Sequence, residues 1–139
     1  MVYLMDLHTI STYRYAHDRD DLRLADGERI VAGGTWFFSE PQVASTGVVD
    51  ISRIGWKPFE DLPDGGLRIA ATATVAQLAE LPAQRGWHAH PLLFQCATAL
   101  LASFKIWNVA TVGGNICRSF AAASMVSLAS GLDGRALVW

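Results

Sequence analysis

The order of apolar and polar positions along the 139-residue chain predicts short strands that alternate with short helices. In the first part, apolar runs predict strands at Arg29–Ala32 and Thr46–Ile51, after a short helix capped by Asp18 or Asp20. A further short strand is expected at Val2–Leu4. Because strand and helix alternate over so few residues, this pattern is typical of a small parallel β–α–β unit.

The pattern changes after Trp56, and we place a domain boundary between residues 1–56 and residues 57–139. The second part opens with a hairpin turn at Gly65–Gly66 and a strand at Leu67–Ala73. Thr74 and Gln77 form a capping box that predicts a helix over Val75–Leu81.

Two more helices and a last strand complete the predicted second part. Pro91 starts a helix that runs to about Phe104, and Ser124–Ser130 has a second helical pattern before Gly131. The apolar face of the first of these helices is Leu93, Ala97, Leu100, Leu101 and Phe104. Arg135–Trp139 predicts a strand whose unpaired edge would join another chain, so that a homo-oligomer is expected there.

Two stretches combine an apolar β-type run, a pair of glycines and a polar residue. They are RIVAGGTWFF at Arg29–Phe38 and IWNVATVGGNICRS at Ile106–Ser119. Adjacent glycines let backbone N–H groups approach an anion closely, although a single glycine pair is also typical of an ordinary turn. Two such bends that face each other would be able to hold one diphosphate between them.

Composition and charge exclude several classes of protein. Charged residues make up 17% of the chain and apolar ones 51%, which indicates a surface that packs against a partner. A net charge of −2 gives no electrostatic footprint for nucleic acid. No apolar run approaches the roughly 18 residues of a membrane span. Asp6, His8 and Arg14 stand where a signal peptide would be apolar, so we expect a cytoplasmic protein.

The cysteines and histidines give no pattern of metal ligands. Cys96 and Cys117 stand alone and are predicted to be buried thiols, so the chain does not hold an iron–sulfur cluster of its own. His88 and His90 have a spacing seen in metal sites, but no third ligand is visible.

Four segments in the same order and spacing resemble a known family. They are AGGTW at Ala32–Trp36, DISRI at Asp50–Ile54, GGLRIAATATVAQLA at Gly65–Ala79 and NVATVGGNI at Asn108–Ile116. The chain resembles the FAD-binding subunit of molybdenum hydroxylases, as in the medium subunit of carbon monoxide dehydrogenase and the flavin domain of xanthine dehydrogenase. The resemblance covers nearly the whole chain and about the first half of such a subunit. It implies an α+β, bipartite FAD-binding fold, with a small parallel β–α–β subdomain followed by an incomplete mixed sheet with helices.

The resemblance also implies which residues hold the cofactor. The first bend would wrap the FAD diphosphate with backbone N–H groups and the Thr35 hydroxyl, through Val31, Ala32, Gly33, Gly34, Thr35 and Trp36. The second would hold the other side of the diphosphate and its ribose, through Thr111, Val112, Gly113, Gly114 and Asn115.

Three further positions match the family less uniformly. Leu101 aligns with a residue that lines the flavin ring in some members. Ser124 stands where many members have an aspartate that binds the adenosine part, and Arg118 where a small polar residue is common. An arginine there is able to pair with a phosphate.

The function implied by the resemblance is electron transfer. FAD would accept electrons from a molybdopterin-containing large subunit through an iron–sulfur small subunit and pass them to an external acceptor, without an acid–base side chain. Two alternatives stay open. One is a structural or binding remnant of this fold that no longer holds FAD. The other is a flavin-dependent oxidase or reductase of the wider family.

Overall fold

A computed structural model describes residues 7–139, so the strand predicted at Val2–Leu4 lies outside the described residues. The described chain forms the strands β1 (Thr12–Tyr15), β2 (Glu28–Val31), β3 (Gly47–Asp50), β4 (Phe59–Asp61) and β5 (Leu67–Ile69). Its α-helices are α1 (Val75–Ala79), α2 (Pro91–Ala99), α3 (Phe104–Trp107), α4 (Val112–Arg118) and α5 (Ser124–Gly131). Short 3-10 helices lie at Asp20–Leu22 and Phe37–Ser39.

The first three strands form a parallel sheet in the order β1-β3-β2. The predicted strands at 29–32 and 46–51 are confirmed as β2 and β3, and the small parallel unit is confirmed with 3-10 helices in its connections. Every residue of the central strand β3 is buried, whereas β1 is partly exposed. Its sequence TYRY mixes polar and aromatic residues, which explains why the hydrophobic pattern did not reveal β1.

An ion pair joins the two outer strands of this sheet. The Arg14 guanidinium on β1 donates from Nε and Nη2 to the Glu28 carboxylate on β2, at 2.9 and 2.8 Å. The same guanidinium donates to the backbone oxygens of Asp21 and Arg23. This side-chain hydrogen bonding, with the Ala25 N–H as a further donor, lowers the pKa of Glu28 to about 2.

The strands of the second half form an antiparallel hairpin, β4–β5. Its turn is at Gly65–Gly66, as predicted, with a hydrogen bond from Leu62 N–H to Gly66 O of 2.9 Å. Gly65 has a φ of +83°, a conformation that favours glycine. β5 ends at Ile69 and is therefore shorter than the predicted strand at 67–73.

Helices cover this hairpin and enclose the core of the second half. The capping box of α1 is confirmed, because Thr74 Oγ1 accepts from Gln77 N–H while Gln77 Oε1 accepts from Thr74 N–H. The predicted helix at 124–130 is confirmed as α5, which packs on α2 and α4. The buried cluster consists of Ala73, Leu78, Leu81, Leu93, Cys96, Val112, Met125 and Leu128.

Four sequence predictions in this half are wrong, the last of them at Gly113–Gly114. The helix that begins at Pro91 ends at Ala99, because Leu101 has a φ of +52° that a right-handed helix does not allow. Leu101 and Phe104 are therefore 93% and 72% exposed and do not extend the buried face. The segment 135–139 forms no strand, and its side chains are exposed. Because that strand is missing, no sheet edge is present there for a second chain to extend.

The third wrong prediction concerns Cys117. Its residue is exposed, on the last turns of α4, whereas Cys96 is buried in the core as expected. Burial raises the pKa of the Cys96 thiol.

Candidate functional site: a cleft between two glycine motifs

The first glycine motif follows β2 at the carboxyl end of the parallel sheet. After Val31 the backbone bends through Gly33 and Gly34, and Gly34 has a φ of +71°. Within residues 7–139, the N–H groups of Gly33, Gly34, Thr35 and Trp36 donate to no acceptor. Four consecutive unpaired amides form a site that suits the oxygens of an anion.

The second glycine motif differs from the sequence prediction. Val109, Ala110 and Thr111 do not form a strand before it, apart from an isolated bridge between Thr111 and Thr74. Gly113 and Gly114 lie in the first turn of α4, so the expected strand-to-bend geometry is wrong at this position. The physical reason is that Thr111 caps the helix, with its Oγ1 accepting from Gly114 N–H at 3.0 Å.

The amides of this second motif are already used by the chain. Val112 N–H donates to Ala73 O at 2.8 Å, and Gly113 N–H donates to Ala71 O at 3.0 Å. Asn115 N–H donates to Thr111 O at 3.0 Å. The first motif therefore has backbone N–H groups that are able to donate to a ligand. The second motif is able to contact a ligand only through side chains and van der Waals surface.

Folding brings the two motifs together. A Cβ placed on Gly33 would lie 2.0 Å from the backbone oxygen of Val109, so the first bend touches the segment that leads into the second. A cleft of about 370 Å³ opens at this contact. It is lined by Ala32, Gly33, Ser52, Trp56, Pro58, Thr72, Thr74, Gln77, Asn108, Val109 and Thr111.

Among residues 7–139, no ionisable side chain lines the cleft. Its polar side-chain groups are the indole N–H of Trp56 and the hydroxyls and amides of Ser52, Thr72, Thr74, Gln77, Asn108 and Thr111. Such groups can orient a ligand by hydrogen bonds but do not exchange protons near neutral pH. The cleft is therefore suited to holding a molecule that brings its own chemistry.

Asp50 lies beside the cleft without lining it. Its carboxylate accepts a hydrogen bond from the Tyr13 hydroxyl and another from Ser52 N–H, at 2.8 Å for the latter. Burial acts to raise the pKa of Asp50, but these hydrogen bonds outweigh it and the pKa is lowered. The carboxylate is thus committed to holding the end of β3.

Two other residues expected in the site lie where α4 meets the start of α5. The Asn115 side chain accepts from Met125 N–H at 3.0 Å and joins α4 to α5. Ser124 is 5% exposed, and its Oγ has no hydrogen-bond partner within the described residues. Of this pair, Ser124 retains an unsatisfied polar atom that a ligand would be able to pair with.

Leu101 is outside the cleft lining and projects into solvent. Thr35 and Trp36 also do not line the cleft, but they continue the run of unpaired amides from Gly33. Of the thirteen predicted residues, three line the cleft: Ala32, Gly33 and Thr111.

The sequence did not show which side chain of the second half reaches the first motif. Arg118, at the end of α4, places its guanidinium carbon 3.4 Å from the centroid of the Trp36 ring. The same carbon lies over the Phe120 ring, 4.3 Å from its centroid. An arginine three residues after Asn115 was visible in the sequence, but this contact depends on how the two halves pack.

Neither a metal cluster nor a membrane helix is found in the part of the chain that the structure describes. Across residues 7–139, no group of three or more His, Cys, Asp and Glu side chains is placed to bind a metal ion. None of the helices in this range combines the length and the apolar character needed to cross a bilayer.

Comparison with known proteins identifies a family and a fold. Residues 15–135 match the family described as the FAD binding domain in molybdopterin dehydrogenase. Among solved structures, the chain is similar to carbon monoxide dehydrogenase from Hydrogenophaga pseudoflava, in a form that lacks the Mo-pyranopterin moiety of the molybdenum cofactor. The TM-score is 0.59 at 22% identity, over 77% of this chain and 39% of that one. No curated protein matches the chain.

Proposed function

The chain belongs to the family of FAD-binding domains in molybdopterin dehydrogenases, and from that membership we propose that it is the flavin-holding, electron-transferring part of a molybdenum hydroxylase. FAD is the cofactor of this family. The chain spans only 39% of the carbon monoxide dehydrogenase chain that it resembles. Family membership therefore establishes the FAD-binding domain, and the electron-transfer activity of the complete enzyme is what we propose.

The residues of the cleft fit a dinucleotide. FAD carries an anionic diphosphate, and four consecutive unpaired amides at Gly33–Trp36 would be able to donate to its oxygens. Ser124 does not line the cleft, but we propose its buried Oγ, which has no hydrogen-bond partner within residues 7–139, as a further polar contact. Thr111 and Asn115 support this arrangement by fixing the starts of α4 and α5.

The single observation that carries the proposal is the neutral cleft beside free amides. When bound, FAD would supply the redox chemistry, taking up and releasing electrons. The chain would bind the cofactor, orient it and surround it with hydroxyls and side-chain amides. Because the lining holds no ionisable side chain, the chain's task is to position the cofactor rather than to transfer protons.

A negative charge placed among the N–H groups of Gly33–Trp36 tests whether they bind the diphosphate. We expect Thr35→Asp to weaken FAD binding by about tenfold or more, because a carboxylate beside the free N–H groups would repel the diphosphate and compete for the donors. Binding is measured by quenching of flavin fluorescence. Ser130→Asp is the matched control, since Ser130 is exposed and lies outside the cleft.

If the unmodified chain is colourless after incubation with FAD and removal of the unbound cofactor, the remnant hypothesis is favoured instead. If FAD binds equally well to Thr35→Asp and to the unmodified chain, the amides of the first motif are not its diphosphate site.

Electron transfer requires partners, which we propose to be an iron–sulfur subunit and a molybdopterin-containing subunit. The test is purification of the tagged chain from its own cells, followed by flavin, iron and molybdenum analysis of one chromatographic peak. Flavin, iron and molybdenum in constant ratio would support the proposal. A flavin-loaded chain without either metal would favour a flavin enzyme of the wider family. The cytoplasmic location stays a prediction.

A further inference from the structure

Arg118 contacts the last residue of the first glycine motif. Its guanidinium carbon lies over the rings of Trp36 and Phe120, at 3.4 and 4.3 Å from their centroids. Trp36 is the last of the four residues with unpaired amides. Aromatic rings contact the faces of a guanidinium, so its edge and the N–H groups on that edge stay free to donate.

The positive charge of Arg118 is not neutralised within residues 7–139. No carboxylate or carbonyl oxygen in that range accepts a hydrogen bond from this guanidinium. Arg14 and Arg85 differ, because Arg14 donates to Glu28 and Arg85 donates to Asp61 at 3.1 Å. Arg118 is exposed as well, so that a ligand can reach it.

The second half needs such a donor if it is to hold an anion. The amides of residues 112–115 all donate within the chain, and the cleft lining is neutral. Backbone groups of the second motif are therefore not available to complement a negative charge. A guanidinium that extends from the end of α4 to Trp36 supplies the missing donors from that side.

We propose that Arg118 binds a phosphate of the nucleotide ligand, together with the free amides of Gly33–Trp36, and that Trp36 and Phe120 position it for this. The inference rests on the proposed function. The sequence predicted two equivalent glycine bends around one diphosphate. In the proposed site, the backbone amides of the first motif bind it on one side and the Arg118 guanidinium on the other. A planar guanidinium is able to donate two parallel hydrogen bonds to phosphate oxygens, which favours phosphate over a neutral ligand.

The test compares Arg118→Met and Arg118→Lys with the unmodified chain. Arg118→Met should weaken binding of FAD and of inorganic pyrophosphate by about tenfold or more, and leave riboflavin binding unchanged. Arg118→Lys should retain part of the affinity, because it keeps the charge but loses the planar fork. Affinity for FAD should also fall less steeply with salt in Arg118→Met. Arg19→Met is the control, since Arg19 also lies over a tryptophan, at 5.2 Å from the Trp139 ring centroid.

The outcomes separate this inference from the proposed function. If FAD binds equally well to the unmodified chain and to Arg118→Met, the Arg118 site is refuted while the flavin function stands. A lower melting temperature of Arg118→Met with unchanged affinity would likewise refute it, since the stack would then be structural only. If pyrophosphate binds in an Arg118-dependent way but FAD does not bind, the anion site stands and the flavin function fails. Absence of binding by both ligands to the unmodified chain would refute both.

Discussion

Gly33 joins the two glycine motifs at backbone distance. A Cβ at this position would lie 2.0 Å from Val109 O and 2.8 Å from the carbonyl carbon of the same residue. Because the obstacle is backbone and not the end of a flexible side chain, rotation of a side chain does not relieve it. The requirement for glycine here arises from the contact between the motifs and thus from the site itself.

We therefore expect Gly33→Ala to cost about 1–3 kcal/mol of unfolding free energy and to widen the cleft. Urea unfolding measures the first effect and FAD titration the second. Gly131→Ala is the matched control, since its Cβ would have an ordinary contact of 3.4 Å with Leu92 Cδ2. Equal unfolding free energies for Gly33→Ala and the unmodified chain would show that the two motifs do not touch.

At the scale of elements, helix α4 is placed by its first glycine. A Cβ at Gly113 would lie 2.5 Å from Ala71 Cβ and 2.7 Å from Ala71 Cα, whereas one at Gly114 would meet only Thr111 Oγ1 at 2.9 Å. The two adjacent glycines of this helical turn therefore differ in what surrounds them. Gly113 allows α4 to approach the backbone at Ala71, whereas a Cβ at Gly114 would meet only the end of the Thr111 side chain.

Substituting alanine at Gly113 and at Gly114 tests whether the two positions differ in this way. Gly113→Ala should destabilise the chain by about 1–3 kcal/mol, because the helix must move away from Ala71. Gly114→Ala should change stability by less than about 1 kcal/mol, because the better helix propensity of alanine offsets a small shift of the Thr111 hydroxyl. Thermal unfolding of both variants is the measurement. A larger loss in Gly114→Ala than in Gly113→Ala would contradict this account of α4.

The same helix shows what the sequence was able to predict and what it was not. Local signals, such as the Thr74–Gln77 capping box and the Gly65–Gly66 turn, appear in the structure because their hydrogen bonds lie within a few residues. α4 was missed because two glycines and β-branched residues disfavour a helix, and the Thr111 cap together with packing against Ala71 overrides that preference. The strand expected at 135–139 is missing because an apolar run forms a strand only where another strand pairs with it.

The site was predictable to a similar extent. The two glycine motifs are visible as sequence, and their approach at Gly33 and Val109 agrees with the expected pairing. The asymmetry between them was not predictable, because it depends on which amides are already bonded. Likewise, the contact of Arg118 with Trp36 joins residues that are far apart in the chain.

The parallel sheet has a titratable link between its outer strands. Glu28 has a pKa of about 2, below its ordinary value of 4.5, because Arg14 binds its carboxylate. The folded state thus favours the ionised form. This stabilisation is complete above pH 4.5 and is lost as the pH falls towards 2.

Glu28→Gln should therefore be less stable than the unmodified chain at neutral pH, with a difference that shrinks between pH 4.5 and 2. Urea unfolding at a series of pH values measures the difference. Glu40→Gln removes a negative charge from an exposed position and should retain the acid-dependent loss that is due to Glu28. A constant difference between Glu28→Gln and the unmodified chain across this range would contradict the role of the ion pair.

For the molecule as a whole, the buried clusters separate into two groups. The first half contains two, around Val49 and around Val48, and the second contains the cluster of the hairpin and helices. The main contacts between pairs of strands and between pairs of helices also lie within one half or the other. Contacts between the halves include Gly33 with Val109, Arg118 with Trp36, and Trp56 with Trp139 at 5.2 Å between ring centroids. The domain boundary between residues 56 and 57 stays a prediction. Ligand binding can test it.

If FAD lies between the motifs, it must stabilise both halves at once. At about 100 times its Kd, a ligand that binds only the folded state adds about 2.7 kcal/mol. We expect amide hydrogen exchange to slow in β2 and β3 and also in α4 and α5 when FAD is added, because the ligand would couple two cores that otherwise open separately. Riboflavin, which lacks the diphosphate, is the control and should protect the first half much less, because the free amides of Gly33–Trp36 would stay without a partner. Protection by FAD that is confined to one half would place the ligand on that half alone and not in the cleft. Equal exchange rates in both halves without ligand would show that residues 7–139 open as a single unit.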